Sequence, residues 1–320
     1  AGFLGFHICK KLADKYEKIL VLDIDTFRKE DYAANVEYKK VDVRDFEAVK
    51  EALKGYDAVV NAAAALPLWK KKDIYSTNVD GIKNVLEAAK VNGINRVVQV
   101  SSTAVYGVPE KHPLFETDPL IGVGPYGETK ITAEKICEEY RAKGMTVPVV
   151  RPKTFIGTER LGVFQILYDW VEAGALIPCI GNGKNRYELL EVQDLVDAIY
   201  LMLTKPAEIA NDTFNVGAKN TPPIKDYLEE FFKRVGSKSH VMKTPAGLLI
   251  FFLEIFWMLR ISPLYKWVYG TAHKDSFVSI EKAETKLGWS PKFTEADALV
   301  HSYEWYIKHE KEVKGASGVT

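Results

Sequence analysis

PYGETK, residues 125–130, is followed at once by the helix-forming run ITAEKICEEYRA. A separation of four positions puts the side chains of Tyr126 and Lys130 on one face of a helix. An ammonium group held near a phenol favours the phenolate, and so lowers the pKa of the tyrosine from its ordinary value of about 10. The stretch therefore predicts a tyrosine that can accept or donate a proton near neutral pH.

A second element, QVSSTAVYG at 99–107, supports this interpretation. A Tyr-x-x-x-Lys pair alone carries little weight in a chain with 16 tyrosines and 43 lysines and arginines. Here, however, two serines and a threonine directly follow the apolar run RVVQV, where a parallel strand would end and open into a crevice. A serine at that place can hydrogen-bond the same substrate oxygen that Tyr126 deprotonates.

With these two elements in view, the chain resembles the extended short-chain dehydrogenase/reductase family, in particular its NAD-dependent epimerase/dehydratase branch. The resemblance covers nearly the whole chain and rests on the order and spacing of its motifs. These are AGFLG at the start, LDID at 22–25, VDVRD at 41–45, NAAAA at 61–65, NVDG at 78–81, SSTAVYG, PYGETK and RPKTFIG at 151–157. The resemblance implies an α/β fold with a Rossmann-type doubly wound parallel sheet and a smaller C-terminal substrate lobe.

The same resemblance divides the chain into two lobes and a tail. The NAD-binding lobe comprises 1–153, and 193–217 returns to it. The substrate-binding lobe comprises 154–192 and 218–312. We expect 313–320 to be a disordered tail.

The start of the chain departs from the family pattern. Gly2 and Gly5 match the second and third glycines of the phosphate-binding pattern Gly-x-x-Gly-x-x-Gly, but its first glycine and the buried strand before it are absent, and the chain opens on Ala1. In a doubly wound sheet that strand is central, so its loss leaves two rows of unpaired backbone groups. We therefore expect an N-terminal fragment with the first strand missing.

Asp23 is the candidate ribose ligand. It ends the apolar run KILVLDID, eighteen residues after Gly5, close to the distance at which dinucleotide-binding folds place an acidic residue. A carboxylate accepts hydrogen bonds from both ribose hydroxyls and repels a 2′-phosphate. This favours NAD as cofactor over NADP, although the nearby Arg28 leaves NADP open and Asp23 could also simply cap a strand.

Further cofactor contacts are implied by the family resemblance alone. Asp42 and Val43 match the positions that contact adenine, and Asn78 matches an asparagine that supports the active site. The full set of candidate cofactor-binding residues is Gly2, Phe3, Leu4, Gly5, Asp23, Asp42, Val43, Ala62, Ala63, Ala64, Asn78, Tyr126, Lys130 and Pro152.

The resemblance also implies the catalytic roles. Tyr126 takes the hydroxyl proton, and Lys130 lowers its pKa and holds the nicotinamide ribose. Ser102 positions the substrate oxygen, because it lies five residues before Gly107, at the position that the family uses for this role. Thr103 is the alternative. We call Ser102, Tyr126 and Lys130 the candidate triad.

Among the reactions of the family, epimerisation of a nucleotide sugar through a keto intermediate fits best. Dehydratases need an added acid pair just after the serine or threonine, and this chain has Thr103 and Ala104 there. Arg186 is the natural contact for a substrate diphosphate, because a guanidinium binds phosphate through two parallel hydrogen bonds. A surface arginine in a Gly-Asn turn is the alternative. Substrate contacts are thus expected at Ser102, Thr103, Thr154 and Arg186, although Thr154 stands where sugar-nucleotide enzymes commonly carry asparagine.

Two other functions remain open. The apolar run AGLLIFFLEIFWML at 246–259 is too short to span a bilayer and is interrupted by Glu254. It could be a core helix, a peripheral membrane contact or the wall of an apolar pocket, and the last would suit an oxidoreductase resembling the 3β-hydroxysteroid dehydrogenases. A non-catalytic cofactor-binding scaffold is the alternative from another class, against which the intact candidate triad argues.

Composition narrows the partners. The 43 basic and 43 acidic residues cancel, so we expect a small-molecule substrate and no nucleic acid. Cys9, Cys137 and Cys179 lie far apart without metal-ligand spacing, which predicts no metal site and favours the reducing cytoplasm. The family often forms homodimers through a four-helix interface that would include the Tyr126 helix.

Overall fold

We analysed a computed structural model of the chain. The structure describes residues 1–159, 161, 164–245, 247, 251, 253–255, 258 and 272–316. Beyond His309 only the backbone is described.

Helices and strands alternate along most of the chain. The helices are α1 (Phe3–Leu12), α2 (Phe46–Ala52), α3 (Lys71–Tyr75), α4 (Gly81–Val91), α5 (Gly124–Ala142), α6 (Phe164–Glu172), α7 (Val192–Thr204), α8 (Ala207–Ala210), α9 (Ile224–Arg234) and α10 (Glu295–Ala316). The strands are β1 (Ile19–Asp23), β2 (Val36–Lys40), β3 (Ala58–Asn61), β4 (Arg96–Val100), β5 (Val149–Pro152), β6 (Thr154–Ile156), β7 (Leu176–Ile180), β8 (Leu189–Glu191), β9 (Thr213–Val216) and β10 (His240–Thr244). A tight 3₁₀ turn at Thr103–Tyr106 follows β4.

The central sheet is parallel and lies in two pieces. One piece has the strand order β3-β4-β5-β9, and the other pairs β1 with β2. In the described part of the chain, no strand is hydrogen-bonded between β1 and β3. Parallel strands joined through helices confirm the predicted Rossmann-type α/β fold.

Apolar helix faces cover both sides of this sheet. On one side, Leu4 and Ile8 of α1 pack with Leu195 and Ile199 of α7 in a cluster that also includes Val98 of β4. A second cluster contains buried residues of α2, α4 and α5 together with further sheet residues. β4 and β5 are buried on both faces, which explains why their sequences show no alternation of apolar and polar residues.

The C-terminal half adds two short parallel pairs, β6 with β8 and β7 with β10. An aromatic cluster packs α6, α9 and α10 together through Tyr168, Phe231 and Tyr306. The segment predicted as a tail at 313–320 begins inside α10, which continues to Ala316 because the run EKEV offers good helix formers and no stop signal. Residues 317–320 lie outside the described residues.

The following observations on membrane-spanning helices and on metal ligands apply to the described residues only. None of its helices is both long enough and apolar enough to cross a bilayer. No three of its histidine, cysteine or acidic side chains are grouped as metal ligands would be. Most of the 246–259 run lies outside the described residues, and within it the structure describes 247, 251, 253–255 and 258.

Candidate active site

The end of β4 and the start of α5 bring the candidate triad together. Ser102 lies two residues beyond the end of β4 and caps the following 3₁₀ turn, where its hydroxyl accepts a hydrogen bond from Ala104 N (3.1 Å). Tyr126 and Lys130 lie in the first two turns of α5, which has a proline in its first turn. Proline there costs no hydrogen bond, because the first N–H groups of a helix have no partner within it.

Tyr126 lies between the other two side chains of the candidate triad and interacts with both. The Lys130 ammonium lies 5.6 Å from the centroid of the Tyr126 ring, and Ser102 hydrogen-bonds the phenol. Lys130 is 3% exposed and donates to the carbonyl of Val100 at the end of β4 (3.0 Å). The arrangement places a hydroxyl, a phenol and an ammonium at one edge of the sheet.

Burial decides how these groups titrate. It raises the pKa of Tyr126, and the hydrogen bond with Ser102 only partly offsets this effect. The sequence instead predicted a lowered tyrosine pKa, and the difference arises because desolvation by burial outweighs the hydrogen bond with Ser102. Burial also lowers the pKa of Lys130 to about 8, against the opposing effect of the Glu134 carboxylate.

Asn78 connects the cofactor side of the site to the tyrosine helix. Its amide oxygen accepts from Ala65 N (2.8 Å), and its amide nitrogen donates to Ala65 O and to Thr129 Oγ1 (both 3.1 Å). The Thr129 hydroxyl donates to the carbonyl of Tyr126 (2.9 Å). Asn78 is therefore a structural link between the loop after β3 and α5.

The N-terminus of α1 has room for a phosphate. A methyl group added at Gly2 or Gly5 would meet no atom within 4 Å. Free backbone N–H groups and the helix dipole favour an anion at such a place. The residues present therefore fit the diphosphate of a dinucleotide.

Asp23 lies at the carboxyl end of β1. Its carboxylate accepts from Ile24 N (2.7 Å) and Asp25 N (3.1 Å). Burial raises the pKa of Asp23, whereas these hydrogen bonds lower it. A carboxylate thus lies at the end of β1, at the position that the sequence predicts to contact a ribose.

The other predicted cofactor residues lie at the same edge of the sheet or near it. Asp42 forms a fork with Arg44, with Arg44 Nε 3.0 Å from both carboxylate oxygens and Nη2 2.6 Å from Oδ2. Phe3 stacks on Phe155 with ring centroids 5.8 Å apart. The remaining positions differ in exposure: Leu4 and Pro152 are buried, Val43, Ala62 and Ala64 are partly exposed, and Ala63 is exposed.

The predicted substrate residues beyond the triad form separate contacts. Thr154 Oγ1 lies 3.0 Å from the hydroxyl of Tyr187. Arg186 donates from Nε to the carbonyl of Thr221 (2.7 Å), and its guanidinium lies 3.9 Å from the ring centroid of Phe277. Thr103 opens the 3₁₀ turn next to Ser102.

Sequence reasoning missed several buried polar residues near these positions. Glu134 and Arg151 form a buried ion pair behind the triad. Lys153 is 4% exposed and donates to Ser276 Oγ (2.6 Å), and buried Glu188 accepts from Val278 N (3.0 Å). The available signal was that Arg151 and Lys153 flank Pro152 and that Glu188 directly follows Tyr187.

Comparisons with known proteins define the class. The family model "NAD dependent epimerase/dehydratase family" matches residues 1–217. The UDP-glucose 4-epimerase of Lactobacillus helveticus is 28% identical, covering 97% of this chain and 96% of the relative. An N-acetyl-alpha-D-glucosaminyl-diphospho-ditrans,octacis-undecaprenol 4-epimerase of Escherichia coli O157:H7 is 33% identical over 213 residues, which are 64% of this chain and 62% of the relative.

A solved structure shows the same fold. The UDP-glucose 4-epimerase of Thermotoga maritima, crystallised with UDP-glucose, has a TM-score of 0.77 and 22% identity, with 97% of each chain covered. The fold and site thus define an extended short-chain dehydrogenase/reductase enzyme. The chain belongs to the NAD-dependent epimerase/dehydratase family.

Proposed function

We propose that this protein is a nucleotide-sugar 4-epimerase that works through a keto intermediate. The observation that carries the proposal is the convergence of Ser102, Tyr126 and Lys130 at the carboxyl edge of the sheet. The full-length similarity to a UDP-glucose 4-epimerase supports this reaction over others of the family.

Each residue of the triad has a defined task in this proposal. Ser102 hydrogen-bonds the sugar hydroxyl and orients it toward Tyr126. The Tyr126 phenolate accepts the hydroxyl proton and returns it after the sugar has turned over in the pocket. Lys130 stabilises the phenolate by its positive charge. NAD, when bound, supplies a hydride acceptor that returns the hydride to the opposite face of the keto sugar.

The substrate diphosphate is assigned to Arg186. Arg186 is partly exposed, and among the described residues its guanidinium donates only to the carbonyl of Thr221, which leaves further N–H donors for phosphate oxygens. Thr154 and Tyr187 present a pair of hydroxyls that would contact the same substrate. NAD is preferred over NADP because the Asp23 carboxylate would repel a 2′-phosphate.

The assay that tests the proposal uses purified protein, NAD and the UDP-linked hexoses, N-acetylhexosamines and hexuronates. We expect interconversion of the C4 epimers of at least one pair by NMR, with no net change in NADH absorbance. Net NADH formation would favour a dehydrogenase instead. Cofactor binding without conversion of any sugar would favour the scaffold function.

A second candidate substrate is a sugar carried on a polyprenyl diphosphate. Phe251 and Met258 are each helical and are 60% and 72% exposed, which leaves two large apolar side chains at the surface. One relative, by its name, acts on an undecaprenyl-linked sugar. Conversion of a polyprenyl-diphosphate N-acetylglucosamine in detergent, without conversion of the UDP sugars, would select this candidate. Both relatives act on sugars, so we do not extend the proposal to hydroxysteroids.

We further propose a cytoplasmic location and a homodimer. The three described cysteines are buried and unpaired, as expected in a reducing compartment. Light scattering of the purified protein would test the dimer, and fractionation of the source cells would test the location.

A further inference from the structure

A buried carboxylate lies one helical turn beyond the triad lysine. Glu134 is 3% exposed. Its Oε1 accepts from the Ser101 hydroxyl (2.5 Å) and from Arg151 Nε (3.0 Å), and its Oε2 accepts from Arg151 Nη2 (2.5 Å). Both oxygens of the carboxylate are therefore occupied by donors in a fixed fork geometry.

The other end of the guanidinium continues the network. Arg151 Nη1 donates to the hydroxyl of Tyr106 (2.8 Å) and to the carbonyl of Glu116 (3.1 Å). The Tyr106 hydroxyl in turn donates to Asn215 Oδ1 (2.7 Å), and Asn215 N donates to the Glu116 carboxylate (2.8 Å). The chain of hydrogen bonds thus runs from α5 across β5 to β9.

This network fixes the segments that carry the candidate site. Ser101 directly precedes Ser102, and Glu134 lies four residues after Lys130 on the same helix face. Arg151 directly precedes Pro152, the residue expected to border the nicotinamide. One ion pair therefore sets the separation between the helix that holds the phenol and the two strand ends that face it.

We propose that Glu134 and Arg151 are positioning residues for the candidate triad. The pair holds α5 against β4 and β5 and keeps a negative charge one turn from Lys130. The inference rests on the proposed function, because it assigns the pair a role in that reaction. A buried ion pair often adds no net stability, so a purely structural account leaves its placement unexplained.

The charge of Glu134 acts on Lys130. The titratable groups that act on this ammonium are Glu134 and Cys137 on its own helix, with Tyr126 beside it and Arg151 facing it from β5 through Glu134. Glu134 raises the pKa of Lys130, in opposition to burial. Without the carboxylate, Lys130 would lose its proton at lower pH.

The test compares Glu134→Gln with the unmodified protein. We expect kcat to fall about 10- to 100-fold with KM changed less than about threefold, because the triad is displaced while substrate contacts remain. The alkaline limb of the kcat profile should move about one pH unit lower. NADH binding, followed by fluorescence, should weaken at correspondingly lower pH, since Lys130 is the proposed ribose contact.

Asp194→Asn is the matched control. Asp194 is 1% exposed and accepts backbone N–H groups of Lys292 and Phe293, away from the triad. It should lower the melting temperature without moving either pH profile. If Glu134→Gln behaves like this control, with both profiles unchanged, the pair is structural only and the inference is wrong.

Arg151→Lys provides a second test of the inference if Glu134→Gln does not fold. This variant keeps the charge but loses the fork, so kcat should fall at least about tenfold with the alkaline limb in place. An unchanged kcat would overturn the inference. If the unmodified protein converts no sugar, the proposed function fails, and the pH dependence of NADH binding still decides the role of Glu134.

Discussion

Glu134 and the two carboxylates that flank or end β8 are all buried, yet their surroundings differ. Glu134 receives the Arg151 fork and the Ser101 hydroxyl. Glu188 and Glu191 have no cation within ion-pair distance in the described part of the chain, and Glu191 Oε2 has no hydrogen-bond partner there. Burial raises the pKa of Glu191 to about 8 and also raises that of Glu188.

The difference separates two uses of a buried acid. Where donors surround both oxygens, the carboxylate fixes geometry. Where donors are missing, burial favours the neutral acid, and the group titrates near physiological pH. The network around Glu134 thus holds the segments that carry the candidate triad, whereas the carboxylate at the end of β8 makes that strand sensitive to pH.

The largest effect on kcat should come from the Tyr126 phenol, on the helix that the Glu134 network holds. Tyr126→Phe is expected to lower kcat about 10³-fold, because it removes the proton acceptor while the ring keeps its packing. NADH affinity, measured by fluorescence titration, should stay within about twofold. Tyr140→Phe is the matched control on the same helix, since among the described residues the Tyr140 hydroxyl donates only to Glu87 (2.6 Å). Comparable activity of the two variants would remove Tyr126 from the mechanism.

Ser102 and Thr103 can be separated by paired alanine variants. Ser102→Ala should lower kcat about 10- to 100-fold, since the phenol loses its hydrogen-bond partner, and Thr103→Ala less than about threefold. Steady-state kinetics on both variants check this order. The reverse order would transfer the positioning role to Thr103.

A variant of Arg186 tests the predicted contact with the substrate diphosphate. Arg186→Ala should raise KM for a UDP sugar about 10- to 30-fold with kcat little changed, because charge-assisted hydrogen bonds to the diphosphate are lost. Arg234→Ala, which removes an ion pair with Asp297 (2.8 Å), is the control and should leave KM unchanged. An equal KM in both variants would place the diphosphate elsewhere.

The smallest effect should be on the free energy of unfolding, through Glu191 at the end of β8. The folded pKa of Glu191 lies above its unfolded value, so the protein should lose stability as pH rises from about 4.5 through about 8. Glu191→Gln removes this loss and should gain about 1–3 kcal/mol relative to the unmodified protein between pH 5 and pH 8. Urea unfolding at both pH values measures the difference. A pH-independent difference would show that Glu191 stays ionised.

The fold and the triad could be predicted because they depend on local order in the sequence. Apolar runs followed by small polar residues mark strand ends, and the four-residue spacing of Tyr126 and Lys130 holds in any helix. The Glu134 network could not be predicted in the same way. Glu134 also lies four residues from Lys130, a spacing equally typical of exposed ion pairs, and only its burial against Arg151 distinguishes the two.

Burial also explains why the pKa of Tyr126 is raised, whereas the sequence predicted that it would be lowered. The sequence shows that Lys130 is near Tyr126 but not how much water both lose on folding. The contacts of Arg186 with Thr221 and Phe277 depend on segments 35 and 91 residues away, which no spacing rule connects. Side chains brought together from distant parts of the chain therefore required coordinates.

The Asn78 link has a consequence for how the candidate site opens. The amide of Asn78 holds Ala65 and Thr129 at once, so the loop after β3 and the first turns of α5 should open together. Their amides should then exchange with deuterium at one common rate. Asn78→Ala would uncouple the two segments and give them separate rates.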